Sequence, residues 1–264
     1  MSELAVLGNI SCDLAIYPDG RQFELLGGAA LHVAQAASRA GLAAAPVSVI
    51  GADLGWIRGD PRLAGLDLTS VKVVPGPSCA FTLTYTGAGK LAGIDCSFGA
   101  AESLTSHCLT AIGHHGQYHV CCRRPLGVRA VLGRLARAGL IFSADFHLAS
   151  ARELISASAP FLPHARVIFV NAAEFTTLTD LTDPACLAAV VISDGPREVI
   201  LLRHGDATVT IRPPDTFAAE VTGAGDTLAG TFLARGLGDG DALRAAVTAA
   251  AQSIRGPGLA ITGH

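Results

Sequence analysis

The feature that most limits the folds open to this chain is an alternation of short apolar runs with longer Ala/Leu-rich stretches of helical periodicity. Strand-type runs fall at Leu4–Gly8, Pro46–Ile50, Tyr118–Cys122, Leu140–Ala144, Val167–Val170, Val199–Leu202 and Thr208–Ile211. The periodicity predicts helices over Ala29–Ala40, Gly127–Ala138, Ala151–Ala157, Pro184–Val191, Asp226–Arg235 and Asp241–Ile254. Gly41, Gly139 and Gly236 stand just past three of these stretches, where a left-handed residue ends a helix without steric cost. Strands joined through helices pair in parallel and are covered on both faces.

The predicted fold class is therefore α/β: a three-layer α/β/α (Rossmann-like) arrangement around a mainly parallel sheet. Composition agrees, since 50% of the residues are hydrophobic but only 5% aromatic, which suits helices lying close on a sheet. Two stretches break the alternation. Asp13 to Glu24 and Ser78 to Phe98 hold no good helix, and Ala80-Phe81-Thr82-Leu83-Thr84-Tyr85 alternates as a half-buried strand does. These predict a small antiparallel sheet standing off the main body as a lid. The expectation is one domain over residues 1–264, with lid segments near 13–25 and 78–98.

The net charge of −3 leaves no basic footprint for nucleic acid or an acidic membrane, so a small-molecule partner is expected. The longest apolar stretch, Gly28 to Ala52, is interrupted by His32, Gln35, Arg39, Gly41 and Pro46, which argues against a membrane span. The opening MSELAVLGNI has no basic region before a long apolar run, so no signal peptide is read. Seven cysteines, an odd number without a Cys-x-x-Cys pair, fit free thiols in a reducing cytoplasm.

The chemistry-bearing motif is Thr222-Gly223-Ala224-Gly225-Asp226, leading into a helical stretch with Leu228, Ala229, Phe232 and Leu233 on one face. The glycines let the backbone turn its N–H groups outward at a helix start, where they and the helix dipole make an anion site. A carboxylate at Asp226 could then take the proton of an attacking hydroxyl while those donors hold a phosphoryl group. By itself the segment also reads as a glycine-containing helix entry with an N-terminal Asp. Gly87-Ala88-Gly89-Lys90 resembles the end of a P-loop, but Leu91 replaces the hydroxyl residue and Thr84 the first glycine, so a hairpin turn is the better reading. No Gly-x-Gly-x-x-Gly follows the first strand, which argues against a dinucleotide-dependent oxidoreductase.

Taken together, the motifs resemble the ribokinase-like (PfkB) family of carbohydrate and nucleoside kinases, in the family's order and over nearly the whole chain. Gly8-Asn9-Ile10-Ser11-Cys12-Asp13 is similar to the family's opening, and Leu26-Gly27-Gly28-Ala29-Ala30-Leu31-His32-Val33-Ala34 to its first signature. Gly51-Ala52-Asp53-Leu54-Gly55 is similar to its Gly-x-Asp-x-x-Gly turn, Asn171-Ala172-Ala173-Glu174 to its Asn-x-x-Glu, and Thr222–Asp226 to its second signature. The resemblance implies an ATP- and Mg2+-dependent kinase that phosphorylates a hydroxyl of a sugar, cyclitol or nucleoside. It implies Asp226 as catalytic base with Gly223, Ala224 and Gly225 as the anion hole. Asp13, Gly27, Gly28 and His32 would hold the polyol. Asn171, Glu174 and Thr222 would serve the nucleotide phosphates, with Glu174 reaching Mg2+ through water. Pairing of lids into a homodimer is a further implication.

Each residue also has a plainer reading: Asp13 as a turn carboxylate, Glu174 as a first-turn helix acid, His32 as a packed helix histidine. The sequence departs from the family at several places. His32 stands where many members have Asn, and Asp145-Phe146-His147 where Asp-x-Asn is frequent. Glu220-Val221 replaces an Asp-Thr pair, so a monovalent-cation site of the family type is not carried over. Leu202-Arg203-His204-Gly205 replaces a Thr-Leu-Gly near the nucleotide. These changes motivate the alternative of a catalytically idle sugar- or nucleotide-binding protein; the retained Asp226 argues against it. His114, His115 and His119 near Cys121 and Cys122 match no standard zinc spacing. Arg123-Arg124 follows a strand and could contact a phosphate on the substrate, but a solvated strand end is the better reading.

Overall fold

The computed structural model describes residues 3–86, 91–146, 150–215, 223–236, 240–254 and 259–261. Its first third contains β1 (Leu4–Leu7), β2 (Ser11–Ile16), β3 (Gln22–Gly27), α1 (Ala29–Arg39), β4 (Ala44–Gly51), β5 (Val71–Val74), β6 (Ala80–Tyr85) and β7 (Leu91–Ser97). The middle holds α2 (Leu104–Ala111), β8 (Gln117–Cys122), α3 (Val128–Arg137), β9 (Phe142–Phe146), α4 (Ala151–Ser158), β10 (Val167–Asn171) and α5 (Ala172–Thr179). The rest comprises β11 (Val190–Ser193), β12 (Val199–Arg203), β13 (Asp206–Ile211), α6 (Ala224–Arg235), α7 (Gly240–Ser253) and β14 (Leu259–Ala260).

The large sheet has nine strands in the order β13-β12-β11-β10-β9-β8-β1-β4-β5. It is parallel from β11 to β5, and β12 and β13 close one edge as antiparallel additions. Strands β1, β4 and β9 are buried along their whole length, as expected of a sheet covered on both faces. One core layer includes Leu132 and Leu135 of α3 and Leu154 and Ile155 of α4; the other includes Val33 of α1, Phe232 of α6 and Leu243 of α7. Helix α3 illustrates the pattern: Val128, Val131, Leu132 and Leu135 turn inward, while Arg129, Arg134 and Arg137 remain exposed. Gly41, Gly139 and Gly236 adopt φ of 97°, 62° and 87°, the left-handed region expected past a helix end.

The second sheet has the order β14-β3-β2-β6-β7. Its strands cover both stretches that broke the alternation. It is antiparallel except for β2 and β6, which run parallel with Leu14 opposite Thr82, because these two strands come from separate excursions of the chain.

The helix expected over Pro184–Val191 does not form. Asp183 caps one short 3-10 turn at Pro184–Cys186, and the β-branched run Val190-Val191-Ile192 is taken into the sheet between β10 and β12. Strand β9 lies two residues later than expected, and β5, α2 and α5 are additional elements. The fragment Gly87–Lys90 lies outside the described residues.

Candidate active site

In an open parallel sheet, ligands settle outside the carboxyl ends of the strands where the strand order reverses. Here the chain builds β4 and β5 on one side of β1, then β8 to β11 on the other, so the reversal lies between β1 and β8. Their carboxyl ends lead to Gly8-Asn9 and to Arg123.

On the β1 side, β2 and β3 bring Asp13 over Gly27. A side-chain carbon at Gly27 would overlap the Asp13 carboxylate, with Cγ at 2.9 Å. Gly28 begins α1 with φ of 101°, and a Cβ there would stand 2.6 Å from Ile10 Cα. Only glycine takes that backbone this close to the β1–β2 turn. His32 lies one turn into α1, its amide hydrogen-bonded to the Gly28 carbonyl at 3.2 Å. Its imidazole packs against Gly223: a Cβ added there would be 3.5 Å from the ring. Of the substrate-side residues read from sequence, His32 therefore meets the α6 entry.

Helix α6 starts at a left-handed Gly223 (φ 79°, ψ 0°) that offers no side-chain cap. Ala224 and Gly225 open the first turn, and a Cβ at Gly225 would meet nothing within 4 Å. This leaves N-terminal N–H donors and open space together, the arrangement an anion requires. Asp226 sits in that first turn and is 5% exposed. Thr222 lies outside the described residues, as do Glu220-Val221 and His147.

Arg123, which follows β8, dominates the local electrostatics. Its Nη2 donates to Asp226 Oδ1 at 2.6 Å and to Asp145 Oδ2 at 2.8 Å. Burial pushes the Asp226 carboxyl up, but the Arg123 guanidinium, with His32 beside it, outweighs this and holds the group below the usual carboxylate range. For Asp145, burial together with the negative charges of Asp226 and Glu174 overcomes Arg123 and pushes it up to about 7. Two carboxylates thus share one guanidinium, and Asp145 holds a proton more tightly than Asp226. The sequence favours a solvated strand end for Arg123 over a phosphate contact; the structure half-buries it, where two strand ends and a helix entry converge.

Behind this pair, His119 Nδ1 lies 2.8 Å from Ser143 Oγ, and burial lowers the His119 pKa to about 3, so the ring is neutral. Its Nε2 faces Asp145 Oδ1 at 3.7 Å. His119 and Cys121 share a face of β8, and Asp145 pairs with Cys121 across β8–β9, which brings donor atoms of all three within 4.8 Å. That grouping was invisible to sequence spacing.

Asn171 and Glu174 form a reciprocal cap on α5. The Asn171 amide donates to Glu174 Oε2 at 2.8 Å, and the Glu174 amide donates to Asn171 Oδ1 at 2.9 Å. Glu174 is 3% exposed, and burial raises its pKa above the usual value. The Asn-x-x-Glu spacing thus fixes a buried acid beside the Asp145–Arg123–Asp226 group. The Gly51–Gly55 turn has a structural use: Asp53 Oδ1 accepts from Ser78 Oγ at 2.6 Å and from the Ser78 amide at 3.0 Å. His204 and Gly205, with φ of 49° and 88°, form the two-residue turn joining β12 to β13. A groove of about 790 Å³ between α1, α6 and α7 has His32 and Gly223 at one end but not Asp13, Asp145 or Asp226.

A mainly parallel α/β sheet with a glycine-opened helix entry, a buried carboxylate in its first turn and acids at adjacent strand ends defines a class of small-molecule phosphotransferase. The chain belongs to the pfkB family of carbohydrate kinases, whose sequence pattern it matches over residues 1–262. It is 25% identical over 252 residues to a cytidine kinase of Thermococcus kodakarensis, covering 89% of this chain and 88% of the relative. Its fold matches the Burkholderia thailandensis nucleoside kinase in complex with inosine at a TM-score of 0.82 and 21% identity, covering 97% and 92% of the two chains. It also matches the Cryptococcus neoformans ribokinase in complex with ADP, at a TM-score of 0.78 and 18% identity, covering 98% and 96%. The protein is accordingly a kinase that transfers phosphoryl groups from ATP to an alcohol, and the idle-binder alternative is not favoured. No helix among the described residues is long and apolar enough to cross a membrane.

Proposed function

We propose that Asp226 is the catalytic base of a Mg2+-ATP-dependent kinase whose acceptor is a hydroxyl of a sugar or sugar-like molecule, with nucleosides the first class to assay. The observation that carries this reading is the buried Asp226 in the first turn of an uncapped helix, against the segment that holds His32 and Gly28. Gly223, Ala224 and Gly225 would hold the transferring phosphoryl group with backbone donors, each contributing about 3–4 kcal/mol when aimed at developing charge. Asp13, Gly27, Gly28 and His32 would orient the polyol, and Thr222 with Asn171 would face the nucleotide phosphates.

The site fits Mg2+ through Glu174, a buried carboxylate that offers the oxygen donor a hard divalent ion takes. Glu174 would hold it through water, and when bound it would neutralise phosphate charge during transfer. The names of the cytidine and nucleoside kinase relatives support a nucleoside acceptor. The small sheet would close over the acceptor as a lid of a single domain, excluding water from the transfer. Phe23 and Ile94, exposed on that sheet, support a homodimer formed through it, which light scattering would test. Seven free cysteines, two of them exposed, support a cytoplasmic setting.

The test is Asp226→Asn assayed for ADP formation with cytidine, inosine, ribose and a cyclitol. Loss of turnover by at least about a hundredfold is expected for removal of a general base; near-wild-type transfer to the best acceptor would sink the assignment.

A further inference from the structure

Arg123 belongs to none of the motifs that carry the site, yet it is its central cation. The turn after β8 aims it inward: its amide bonds to the Cys121 carbonyl at 2.8 Å, and its own carbonyl accepts the Leu126 amide at 3.0 Å. The side chain is 23% exposed, whereas those of Asp145 and Asp226 are each 7% exposed. Both hydrogens of one nitrogen are spent, one on each carboxylate. The neighbouring Arg124 makes the contrast, since it pairs with Glu153 where both are more than half exposed.

We propose that Arg123 is a positioning residue for the transfer step: tied back by Asp145, it pairs with the Asp226 carboxylate and fixes it across the start of α6. This rests on the reading of Asp226 as the base. Asp145 comes from the buried strand β9 and Asp226 from α6, so the guanidinium is a tie between the sheet and the helix entry. A carboxylate bonded through one oxygen to Arg123 keeps its other oxygen for an acceptor hydroxyl. Lysine reproduces the link only in part: its ammonium keeps the charge and the donors, but not the planar hydrogens that address the two carboxylates at a fixed angle. The groups facing this centre are His119 and Cys121 from β8, Asp145 from β9, Glu174 from α5 and His32 from α1. Among the described residues none of these but Arg123 is a permanent cation, so its removal leaves two buried carboxylates face to face.

The consequence can be read without knowing the acceptor. In Arg123→Gln, like-charge repulsion raises the folded-state pKa of both carboxylates above their unfolded values. Stability is then retained at low pH and lost as pH rises through the raised values. Thermal unfolding of the full chain should show Arg123→Gln about 10 °C below wild type at pH 8 and less than half of that at pH 5. Adding Asp145→Asn to Arg123→Gln should recover part of the loss at pH 8. A loss of the same size at every pH would show that Arg123 serves packing only, and would overturn the proposal.

The second readout uses cytidine or whichever of inosine, ribose and a cyclitol turns over fastest. The acid limb of kcat/KM should rise by about 1–3 pH units in Arg123→Gln, with kcat falling more than KM for ATP rises. Arg123→Lys should lie between the two, and Asp145→Asn, which removes the competing carboxylate, should not raise the limb. An unmoved limb in both Arg123 variants overturns the proposal while leaving Asp226 as base. If Asp226→Asn retains transfer, the reading of the base fails, and the stability profile alone then judges the charge role of Arg123.

Discussion

Gly230 sits in the middle of α6, the worst place for glycine in a helix, so the interhelical packing must require it. Replacing it with alanine sets two effects of opposite sign against each other. Helix propensity favours alanine by about 1 kcal/mol. Against this, a Cβ at Gly230 would overlap the Val33 carbonyl oxygen, stand 2.8 Å from Ala36 Cβ and 3.0 Å from the Ala37 amide nitrogen. Carbon atoms pack at about 3.5–4.0 Å, so α1 and α6 would have to part by roughly 1 Å. The obstacles are backbone atoms and a methyl group, none of which can rotate away. Overpacking of this kind costs about 1–3 kcal/mol, and separation also loosens the dispersion contacts of Phe232 and Leu228 with α1. The net expectation is about 1–2 kcal/mol of destabilisation, or a Tm lowered by about 2–8 °C for a chain of this size. Activity should suffer more than stability. Helix α1 carries His32 and the Gly28 entry, α6 carries Gly223 and Asp226, and a shift of about 1 Å between reacting groups can cost on the order of a hundredfold in rate. Thermal unfolding and kcat/KM on the same preparation test both parts. A Gly230→Ala protein as stable as wild type or more so, with unchanged turnover, would show that propensity wins and refute the packing argument.

Gly225→Ala supplies the contrasting case. A Cβ there meets nothing within 4 Å, so Tm should hold or rise slightly, whereas kcat should fall at least tenfold because the methyl group enters the space proposed for the phosphoryl group. Equal kcat in calorimetrically intact protein would move the anion site elsewhere. His119→Gln tests the buried neutral imidazole. Its folded pKa, lowered to about 3, lies below the unfolded value near 6.5, so wild type loses stability as pH falls from about 6.5 toward 3. At pH 5 that loss is about 2 kcal/mol, and urea titrations should show the glutamine variant gaining on wild type between pH 7 and pH 5; a constant difference would count against a buried neutral ring.

Much of the fold could be read from the chain because its signals are local. Strands β1, β4 and β10 are short apolar runs, α1 and α3 have one apolar face, and Gly41, Gly139 and Gly236 mark helix ends through backbone freedom alone. The failures are equally physical. Val190-Val191-Ile192 follows an Ala- and Leu-containing segment that periodicity assigns to a helix, but a vacant sheet position between β10 and β12 decides the outcome. The parallel pairing of β2 with β6 depends on where two distant excursions meet, which no window of sequence contains. Leu202–Gly205 was compared with a nucleotide-binding motif, although His204-Gly205 is a hairpin turn whose positive φ values explain the pair by themselves.

The site divides along the same line. Asp226 was legible because its glycines and its helix adjoin it in sequence, and Glu174 because its capping partner lies three residues away. Arg123 was not, since its bond to Asp226 spans 103 residues and its bond to Asp145 spans 22. Seen locally, Arg123-Arg124 at a strand end is a solvated pair, and for Arg124 that is what it is. The two neighbours differ only in what the β8 turn points them toward. A motif therefore picks out the carboxylate proposed as the base, but not the cation paired with it. In this chain, a signature ending in Asp226 describes half of an ion pair until the end of β8 is placed beside it.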